Sequence, residues 1–227
     1  MQAKLSIVAT PIGNLEDITL RALRVLKECD LILCEDTRVT KKLLARYDIH
    51  TPVRSYHAHS SNAAHDAILA ELSDGKWLSL VSDAGTPAVS DPGAHLVAVA
   101  RRALGDNIQI ETIPGPSAVL AALQVAGHSA DSFTFFGFPP HKKGRKTFFE
   151  TVAAAEHTAV LFESPHRILK TLDTLNDLLK PDRTVTVCRE LTKIYEEVIS
   201  GSVTEVALHF HEHPERVRGE FVVVVSP

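Results

Sequence analysis

The sequence predicts an α/β protein of two lobes, the first with a mostly parallel sheet and the second with a mixed sheet. Apolar, β-branched runs alternate with segments of helical period through the first half, which is typical of a parallel sheet. In the second half, the stretch VTVCRELTKIYEEVISG indicates two strands that meet around a turn. The pattern changes after PGPS at 114–117, so we predict α/β domains at 1–117 and 118–227.

The first domain is predicted to contain five strands and four helices. Its first strand is the alternating run KLSIVAT, and its first helix has one apolar face that indicates core packing. Asp91 and Pro92 mark the start of another helix, because Asp is a good N-cap and proline fits the first helical position. The strands are predicted at 4–10, 30–35, 53–57, 77–82 and 108–113, and the helices near 17–28, 38–47, 61–73 and 92–104.

The second domain is predicted to begin with a helix at 118–126. Ser164 and Pro165 repeat the combination of a cap and a proline at a helix start. Four aromatic residues are predicted to be strand core, with stacking on a flipped base as the alternative for an exposed one: Trp77 in the first domain and Phe133, Phe135 and Phe136 in the second. The remaining strands are predicted at 132–138, 157–163, 184–190, 195–200 and 219–226, and the helices near 145–155, 165–179 and 203–211.

Composition excludes several classes of protein. The chain has 227 residues, of which 44% are hydrophobic and 23% charged, as in a soluble globular protein. No apolar run approaches the roughly 20 residues that cross a bilayer, and the N-terminus does not resemble a signal peptide, so no membrane partner is expected. Three cysteines without CxxC spacing favour reduced core thiols and a cytoplasmic protein. The net charge of −4 argues against a generic nucleic-acid binder, so RNA contacts need a local basic patch and DNA is not expected.

A ligand site is predicted where the strands end. Polar, Gly- and Pro-rich segments follow nearly every strand, the longest being SDAGTPAVSDPG at 82–93. Ligands of open α/β sheets bind beyond the carboxyl ends of the strands, and small residues let the backbone approach them. The turn ATPIGN is neither a dinucleotide-binding G-x-G-x-x-G turn nor a phosphate-binding P-loop. The residues alone therefore predict a small polar or nucleoside-like ligand that is held largely by backbone groups.

A set of long motifs resembles one family. The motifs are ATPIGNLEDITLRAL, LCEDTR, SYHAHS, LVSDAGTPAVSDPG, ETIPGPSA, FFGF-P, FESPHR and CRELTK, from about residue 4 to residue 225. They resemble the bacterial 16S ribosomal RNA cytidine 2′-O-ribose methyltransferases of the tetrapyrrole methylase superfamily. The resemblance implies a tetrapyrrole methylase-like fold of two α/β lobes with the ligand cleft between them. It also implies S-adenosylmethionine as the methyl donor with no metal, and a homodimer that acts on 16S ribosomal RNA in the 30S subunit.

The resemblance also implies where the donor binds. In the first lobe it assigns the loop from Ser82 to Ser90, the PG turn, and Pro11 as the floor near the transferred methyl group. In the second lobe it assigns positions that match segments contacting adenosine. The implied donor-binding residues are Pro11, Ser82, Asp83, Ala84, Gly85, Ser90, Pro114, Gly115, Ser117, Phe162, Leu191, Thr192, Gly219 and Glu220.

The sequence departs from relatives in two respects. Family members usually carry a helical C-terminal extension thought to help RNA binding, and this sequence ends at VVVVSP. Superfamily members that methylate metabolites carry a G-x-G-x-G-D-like turn after the first strand, where this chain has ATPIGN. That difference argues against a tetrapyrrole substrate. The alternatives are a methyltransferase for a small metabolite or a modified protein residue, and a non-catalytic module that binds RNA or a nucleoside.

Transfer to a ribose hydroxyl needs alignment of the oxygen and removal of its proton. The candidate bases are Glu35, Asp36 and His57, with His59 and Glu163 as further strand-end residues. Neighbours on a strand point to opposite faces, so one of Glu35 and Asp36 is expected to serve the reaction while the other pairs with Arg38. Asp36 is equally well explained as a helix N-cap, and we favour a capping or hydrogen-bonding role for His59.

RNA contacts are predicted at the dense basic stretch HKKGRK. Its four formal charges, on Lys142, Lys143, Arg145 and Lys146, suit RNA phosphates, although a solvated loop explains them too. Two further arginines, Arg38 and Arg167, join this predicted set; a cation at position 167 opposes the dipole of the following helix, which favours a phosphate contact. The histidines at 209, 211 and 213 are not expected to bind metal, because alternate residues do not align on a helix.

Overall fold

The chain divides into two compact units, Met1–Ser117 and Ala118–Pro227. The computed structural model describes residues 2–57, 62–90 and 93–227, and only the backbone of residue 62. Asp91, Pro92 and His59 lie outside the described residues. None of the helices in the described ranges is long and apolar enough to cross a membrane.

The described part of the first unit forms a five-stranded parallel sheet between helices. In chain order its elements are β1 (Ala3–Val8), α1 (Leu20–Glu28), β2 (Leu31–Cys34), α2 (Thr37–Arg46), β3 (Val53–Ser55), α3 (Asn62–Ser73), β4 (Trp77–Val81), α4 (Gly93–Leu104) and β5 (Ile108–Ile113). The strand order is β3-β2-β4-β1-β5, and every neighbouring pair is parallel. The carboxyl ends of all five strands therefore meet at one edge.

Alternation along the strands divides the core of the first unit into two layers. One face of the sheet buries Val8, Ile32 and Val81 against α1 and α2. The other face buries Leu5 and Leu33, among others, against α3 and α4. Because both faces are covered, the strands read as nearly continuous apolar runs.

The second unit contains a mixed sheet. Its elements are α5 (Ala118–Ala126), β6 (Phe133–Gly137), α6 (Arg145–Ala153), β7 (Thr158–Glu163), α7 (Ile168–Leu178), β8 (Thr184–Arg189), β9 (Glu197–Ser202), α8 (Val203–Glu212) and β10 (Phe221–Val225). The strand order is β6-β7-β10-β8-β9; β6 and β7 are parallel and the other pairs are antiparallel. The predicted parallel and mixed sheets are thus confirmed.

The core of the second unit lies under α6, α7 and α8 on one face of its sheet. Val185 and Val187 of β8 point into that core, whereas Thr186 and Cys188 point to the opposite face. There the Thr186 hydroxyl donates to the Ala126 carbonyl at 3.2 Å, so α5 covers the second face. All three cysteines of the chain are free and buried.

The observed bounds lie within three residues of the predicted ones, and three details of the prediction were wrong. The predicted helix at 17–28 is a 3₁₀ turn at Leu15–Asp17 followed by α1, which Thr19 caps. Ser164 does not cap α7, because residues 164–167 form a turn and the helix begins at Ile168. Phe133 is 39% exposed and is not core.

Candidate active site

The loops after β1 and β4 are joined by backbone hydrogen bonds. The Thr10 amide donates to the Gly85 carbonyl at 2.9 Å, and the Gly85 amide donates back at 3.1 Å. The Thr10 hydroxyl also donates to the Ser82 carbonyl, and the Ser82 hydroxyl donates to Gly85, each at 3.1 Å. Gly85 has a φ of +82°, a conformation that suits glycine. The small residues of this loop thus hold its path against β1.

The PG turn after β5 packs against the loop after β1. A Cβ atom at Gly115 would lie 3.0 Å from the Cβ of Ala9, closer than ordinary contacts allow. The Thr86 hydroxyl donates to the Pro116 carbonyl at 3.1 Å, which joins the loops after β4 and β5. A side chain at position 115 would therefore press on Ala9, and glycine lets the two loops pack closely.

The predicted donor-binding positions of the first unit gather at this edge with different exposure. Pro11, Ser82 and Gly85 are buried, and Ser117 is half-buried. Asp83, Ala84, Ser90, Pro114 and Gly115 are exposed. Buried positions shape the loops, while the exposed positions present backbone and carboxylate groups to solvent.

Two loop residues other than glycine have left-handed backbones. Ala88 has a φ of +70° and Ser90 a φ of +63°. For residues with a Cβ atom this conformation costs roughly 1–2 kcal/mol each, and such strain concentrates at functional sites. The segment that the sequence indicates as a ligand-binding loop is thus also the strained part of this edge.

An open depression of about 540 Å³ lies beside these loops, at the ends of β2, β3 and β4. Its walls are formed by Glu35, Asp36, Thr37, Arg38, Ser55, His57 and Asp83. All three candidate bases, Glu35, Asp36 and His57, are therefore brought together in one place. The concave shape and the three carboxylates make it the candidate reaction site of the first unit.

Asp36 has structural roles at this depression. Its carboxylate accepts from the Arg38 amide at 2.8 Å and so caps α2. It also accepts from the Arg38 guanidinium at 2.7 Å, while the Asp36 amide donates to Asp83 at 3.0 Å. Hydrogen bonds from the Arg38 side chain lower the pKa of Asp36 to about 2. A carboxylate with so low a pKa is a poor proton acceptor at neutral pH.

The expectation that strand alternation separates Glu35 from Asp36 was wrong, because β2 ends at Cys34 and both acids lie in the following turn. Ser55 occupies the space beside them. Its hydroxyl lies 2.6 Å from His57 Nε2 and 3.3 Å from the Glu35 carbonyl oxygen. Ser55 thus fixes the imidazole against the end of β2, a contact that no sequence motif indicated.

The predicted donor-binding positions of the second unit also share one sheet edge. Glu163 at the end of β7 and Arg189 at the end of β8 both pair with Phe221 at the start of β10. Phe162, Leu191, Thr192, Gly219 and Glu220 therefore lie at or just beyond this edge.

Glu190 holds the two segments of that edge together. Its amide donates to the Glu220 carbonyl at 2.9 Å, and its carboxylate accepts from the Glu220 amide at 3.0 Å. Lys193 donates to the carboxylates of Glu190 and Glu220 at 2.8 and 2.9 Å. Burial alone would raise the pKa of Glu190, but the bonds from Lys193 and Glu220 outweigh it and lower the pKa. Gly219 has a φ of +87°, and a Cβ atom there would overlap the Glu190 carboxylate.

Glu163 is a buried structural acid, and its prediction as a candidate base at a strand end was wrong. Its Oε1 accepts from the Ser164 amide at 2.8 Å and lies 3.0 Å from Arg167 Nε. Its Oε2 accepts from the Thr171 hydroxyl at 2.6 Å and lies 3.7 Å from Arg145 Nη1. The Glu163 side chain is fully buried, so it has no access to a substrate.

The same network corrects two predicted RNA contacts. Arg145 is buried, stacks over Phe149 with its guanidinium 4.8 Å from the ring centre, and donates to Thr171 at 2.8 Å. Arg167 is 17% exposed in its side chain and donates to the Pro139 carbonyl at 2.9 Å. Both guanidinium groups make hydrogen bonds and ion pairs within the unit, so neither arginine is available to contact RNA.

Three cations of the basic stretch face solvent. Lys142, Lys143 and Lys146 are exposed, and Lys146 lies 3.7 Å from Glu150. Arg38 is 87% exposed in its side chain, although it pairs with Asp36. These four cations are the members of the predicted RNA-binding set that an external phosphate can reach.

The three alternate histidines make separate contacts. His209 lies 3.3 Å from Glu197, and His211 lies 3.1 Å from Asp173. The His213 ring is 4.9 Å from the His209 ring. Among the residues that the structure describes, no group of three His, Cys, Asp or Glu side chains is arranged to hold a metal ion.

The fold and the loop motifs match one family of enzymes. Residues 4–207 match the family of tetrapyrrole (corrin/porphyrin) methylases, which is most of the chain. The chain therefore belongs to the tetrapyrrole methylase family. Within that family it groups with proteins named ribosomal RNA small subunit methyltransferase I, and the family predicted from the motifs is confirmed.

Three relatives illustrate the similarity. The protein of Neisseria meningitidis serogroup B is 47% identical over 225 residues, which cover 98% of this chain and 76% of that protein. The protein of Halalkalibacterium halodurans is 45% identical over 223 residues, with 98% and 75% coverage. The protein of Thermotoga maritima is 43% identical over 223 residues, with 98% coverage of both.

Solved structures support the fold. A diphthine synthase superposes with a TM-score of 0.74 at 14% identity and covers 98% of this chain and 89% of its own. A cobalt precorrin-4 methyltransferase superposes with a TM-score of 0.70 at 20% identity and covers 99% and 95%. The predicted tetrapyrrole methylase-like α/β fold is confirmed.

The pairing of Arg38 with Asp36 predicts a titration. Arg38→Ala removes the side-chain hydrogen bonds that favour the carboxylate and keeps the bond from the backbone amide, so we expect the pKa of Asp36 to rise from about 2 part of the way toward its ordinary value of 3.8. Because the pKa of Asp36 is lower in the folded protein, the pair contributes its full stabilisation when the pH is above 3.8, the ordinary pKa. This stabilisation is lost as the pH falls toward 2. Carboxyl-carbon NMR titration measures the shift. Arg24→Ala, which breaks the Arg24–Glu28 pair of α1, is the control and should leave Asp36 unchanged. An unchanged Asp36 midpoint in Arg38→Ala would contradict the assignment.

The buried network predicts a large loss of stability. Glu163→Gln leaves Arg145 and Arg167 without their counter-charge, and breaking a buried ion pair costs about 3–5 kcal/mol of unfolding free energy. Because the single tryptophan, Trp77, lies in the first unit, unfolding should be followed by circular dichroism in urea. Glu150→Gln removes an exposed partner of Lys146 and should cost less than about 1 kcal/mol. Equal losses in the two variants would show that Glu163 has no special role.

Proposed function

We propose that this chain transfers a methyl group from S-adenosylmethionine to the ribose 2′-oxygen of a cytidine in the decoding region of 16S ribosomal RNA. The identity of 43–47% to proteins named ribosomal RNA small subunit methyltransferase I, over almost the whole chain, carries this proposal. The family resemblance further supports a cytoplasmic homodimer acting on the 30S subunit, with no metal in the reaction.

The first unit has features that fit such a donor. Its exposed loop positions, among them Ala84, Pro114 and Gly115, offer backbone groups to a ligand. Glu35, Asp36 and Asp83 line the neighbouring depression, and their carboxylates suit a positively charged sulfonium. When bound, the donor supplies a methyl group whose transfer leaves a neutral thioether. The resemblance assigns the adenosine to Phe162, Leu191, Thr192, Gly219 and Glu220.

The chain itself must orient the hydroxyl and accept its proton. Asp36 is a weak candidate, because Arg38 holds its pKa at about 2. We therefore propose His57 as the base, since an imidazole accepts protons near neutral pH and Ser55 fixes this ring at 2.6 Å. Glu35 in the same depression is the second candidate. A general base contributes typically ~10²–10⁴-fold to the rate, and alignment of the oxygen supplies much of the rest.

Labelled donor tests the reaction directly. Small subunits that lack the modification are incubated with the protein and methyl-labelled S-adenosylmethionine, and the RNA is digested to nucleosides for mass analysis. We expect the label on the ribose of cytidine. His57→Ala should lower kcat by roughly 10²–10⁴-fold with donor binding unchanged. Label on the cytosine ring would refute the proposed acceptor, and transfer to a metabolite instead of RNA would favour the alternative substrate class.

The exposed lysines predict how RNA binding depends on salt. Lys142→Ala with Lys143→Ala removes two exposed charges, so the plot of log affinity against log salt for single-stranded RNA should flatten by about 1.4. Lys170→Ala with Lys180→Ala changes the net charge equally on exposed residues elsewhere in the second unit and is the matched control. If the two double variants bind RNA with the same slope, these lysines do not contact phosphates.

A further inference from the structure

Phe138 is a large aromatic side chain that the fold leaves exposed. It follows β6 directly, and 56% of its surface is accessible, more than for Phe133 at the start of the same strand. Its ring is not isolated, because the centre lies 5.3 Å from that of Phe162. Phe162 is packed in turn against Phe135 at 4.9 Å. One side of the Phe138 ring is therefore supported by protein while much of its surface faces solvent.

The backbone after Phe138 is held by the buried network around Glu163. Arg167 donates to the Pro139 carbonyl at 2.9 Å, and Arg145 donates to the Pro140 carbonyl at 3.5 Å. Glu163 fixes both guanidinium groups from the interior. An aromatic ring on a fixed backbone loses little conformational freedom when it binds a partner, and this favours affinity.

Positive charge follows this ring closely in the sequence. Lys142 and Lys143 are exposed and follow Phe138 by four and five residues. An exposed aromatic ring beside basic side chains is the combination that binds single-stranded nucleic acids, where bases stack on rings and cations contact phosphates. Sequence-specific RNA recognition likewise uses unpaired bases that stack on aromatic side chains.

We propose that Phe138 is a stacking platform for an unpaired base of the RNA acceptor, with Lys142 and Lys143 on the adjoining phosphates. This inference rests on the proposed function for its RNA ligand. Two other occupants are conceivable for the ring, the adenine of the donor and a second copy of this chain. The two neighbouring lysines favour a polyanion over both of them.

The first measurement is tryptophan fluorescence of Phe138→Trp, with the signal of Trp77 subtracted by titrating the unsubstituted protein. Titration with a short unstructured RNA should quench the introduced indole saturably, because stacking on a base quenches it. In parallel, Phe138→Ala and Phe138→Leu should weaken RNA binding by about 5- to 150-fold with an unchanged salt slope. Leucine keeps apolar bulk but lacks a flat ring, so equal losses in both variants indicate stacking. Phe133→Ala, at the other end of β6, is the matched control and should bind normally.

Several results would overturn the proposal. If Phe138→Leu binds RNA within twofold of the affinity of the unsubstituted protein, the proposed stacking is refuted. It is also refuted if S-adenosylmethionine alone quenches the introduced tryptophan saturably and RNA does not. A change of sedimentation mass in Phe138→Ala would assign the ring to a contact between copies. Methyl transfer by the original chain separates the two proposals. Quenching without transfer keeps the platform and refutes the reaction, whereas transfer with normal binding by Phe138→Leu refutes only the platform.

Discussion

The loops at the carboxyl edge of the first sheet hold one another, and every candidate group of that unit depends on these bonds. Ser55 joins the end of β3 to that of β2, and Asp83 joins the loop after β4 to Asp36. The paired amides of Thr10 and Gly85 join β4 to β1. A parallel sheet brings the loops to one edge but does not order them. These short polar contacts supply the order that a preorganised site needs.

In the second unit, a buried charge orders the segment after β6. Glu163 accepts bonds from a backbone amide, a hydroxyl and two arginines, so its burial is compensated. One further donor of each arginine bonds a carbonyl of the segment after β6, Arg167 that of Pro139 and Arg145 that of Pro140. A core ion pair thus determines the path of an exposed segment.

The helices and strands could be predicted well from the sequence because apolar periodicity is a local property. The site could be predicted less well, because the partners of a side chain are often distant in the sequence. Both sheets and the loop edge follow from alternation and turn residues. The burial of Arg145 could not be predicted, because it depends on Glu163, a residue 18 positions away. The late start of α7 has the same origin, since Arg167 is drawn to Glu163 in the turn before the helix. The charge pattern alone made both arginines look like RNA contacts.

The glycine- and serine-rich loops satisfy two demands that the sequence does not separate. Gly115 and Gly219 lie close against neighbouring protein atoms, the Ala9 side chain and the Glu190 carboxylate respectively. Asp83 and Ser90 are exposed, and Ser90 has a left-handed backbone with a φ of +63°. A substitution at the first pair therefore changes the shape of the site through the fold. A substitution at Ser90 changes what the site presents to a ligand, whereas a substitution at Asp83 also removes the acceptor of the Asp36 amide and so affects both.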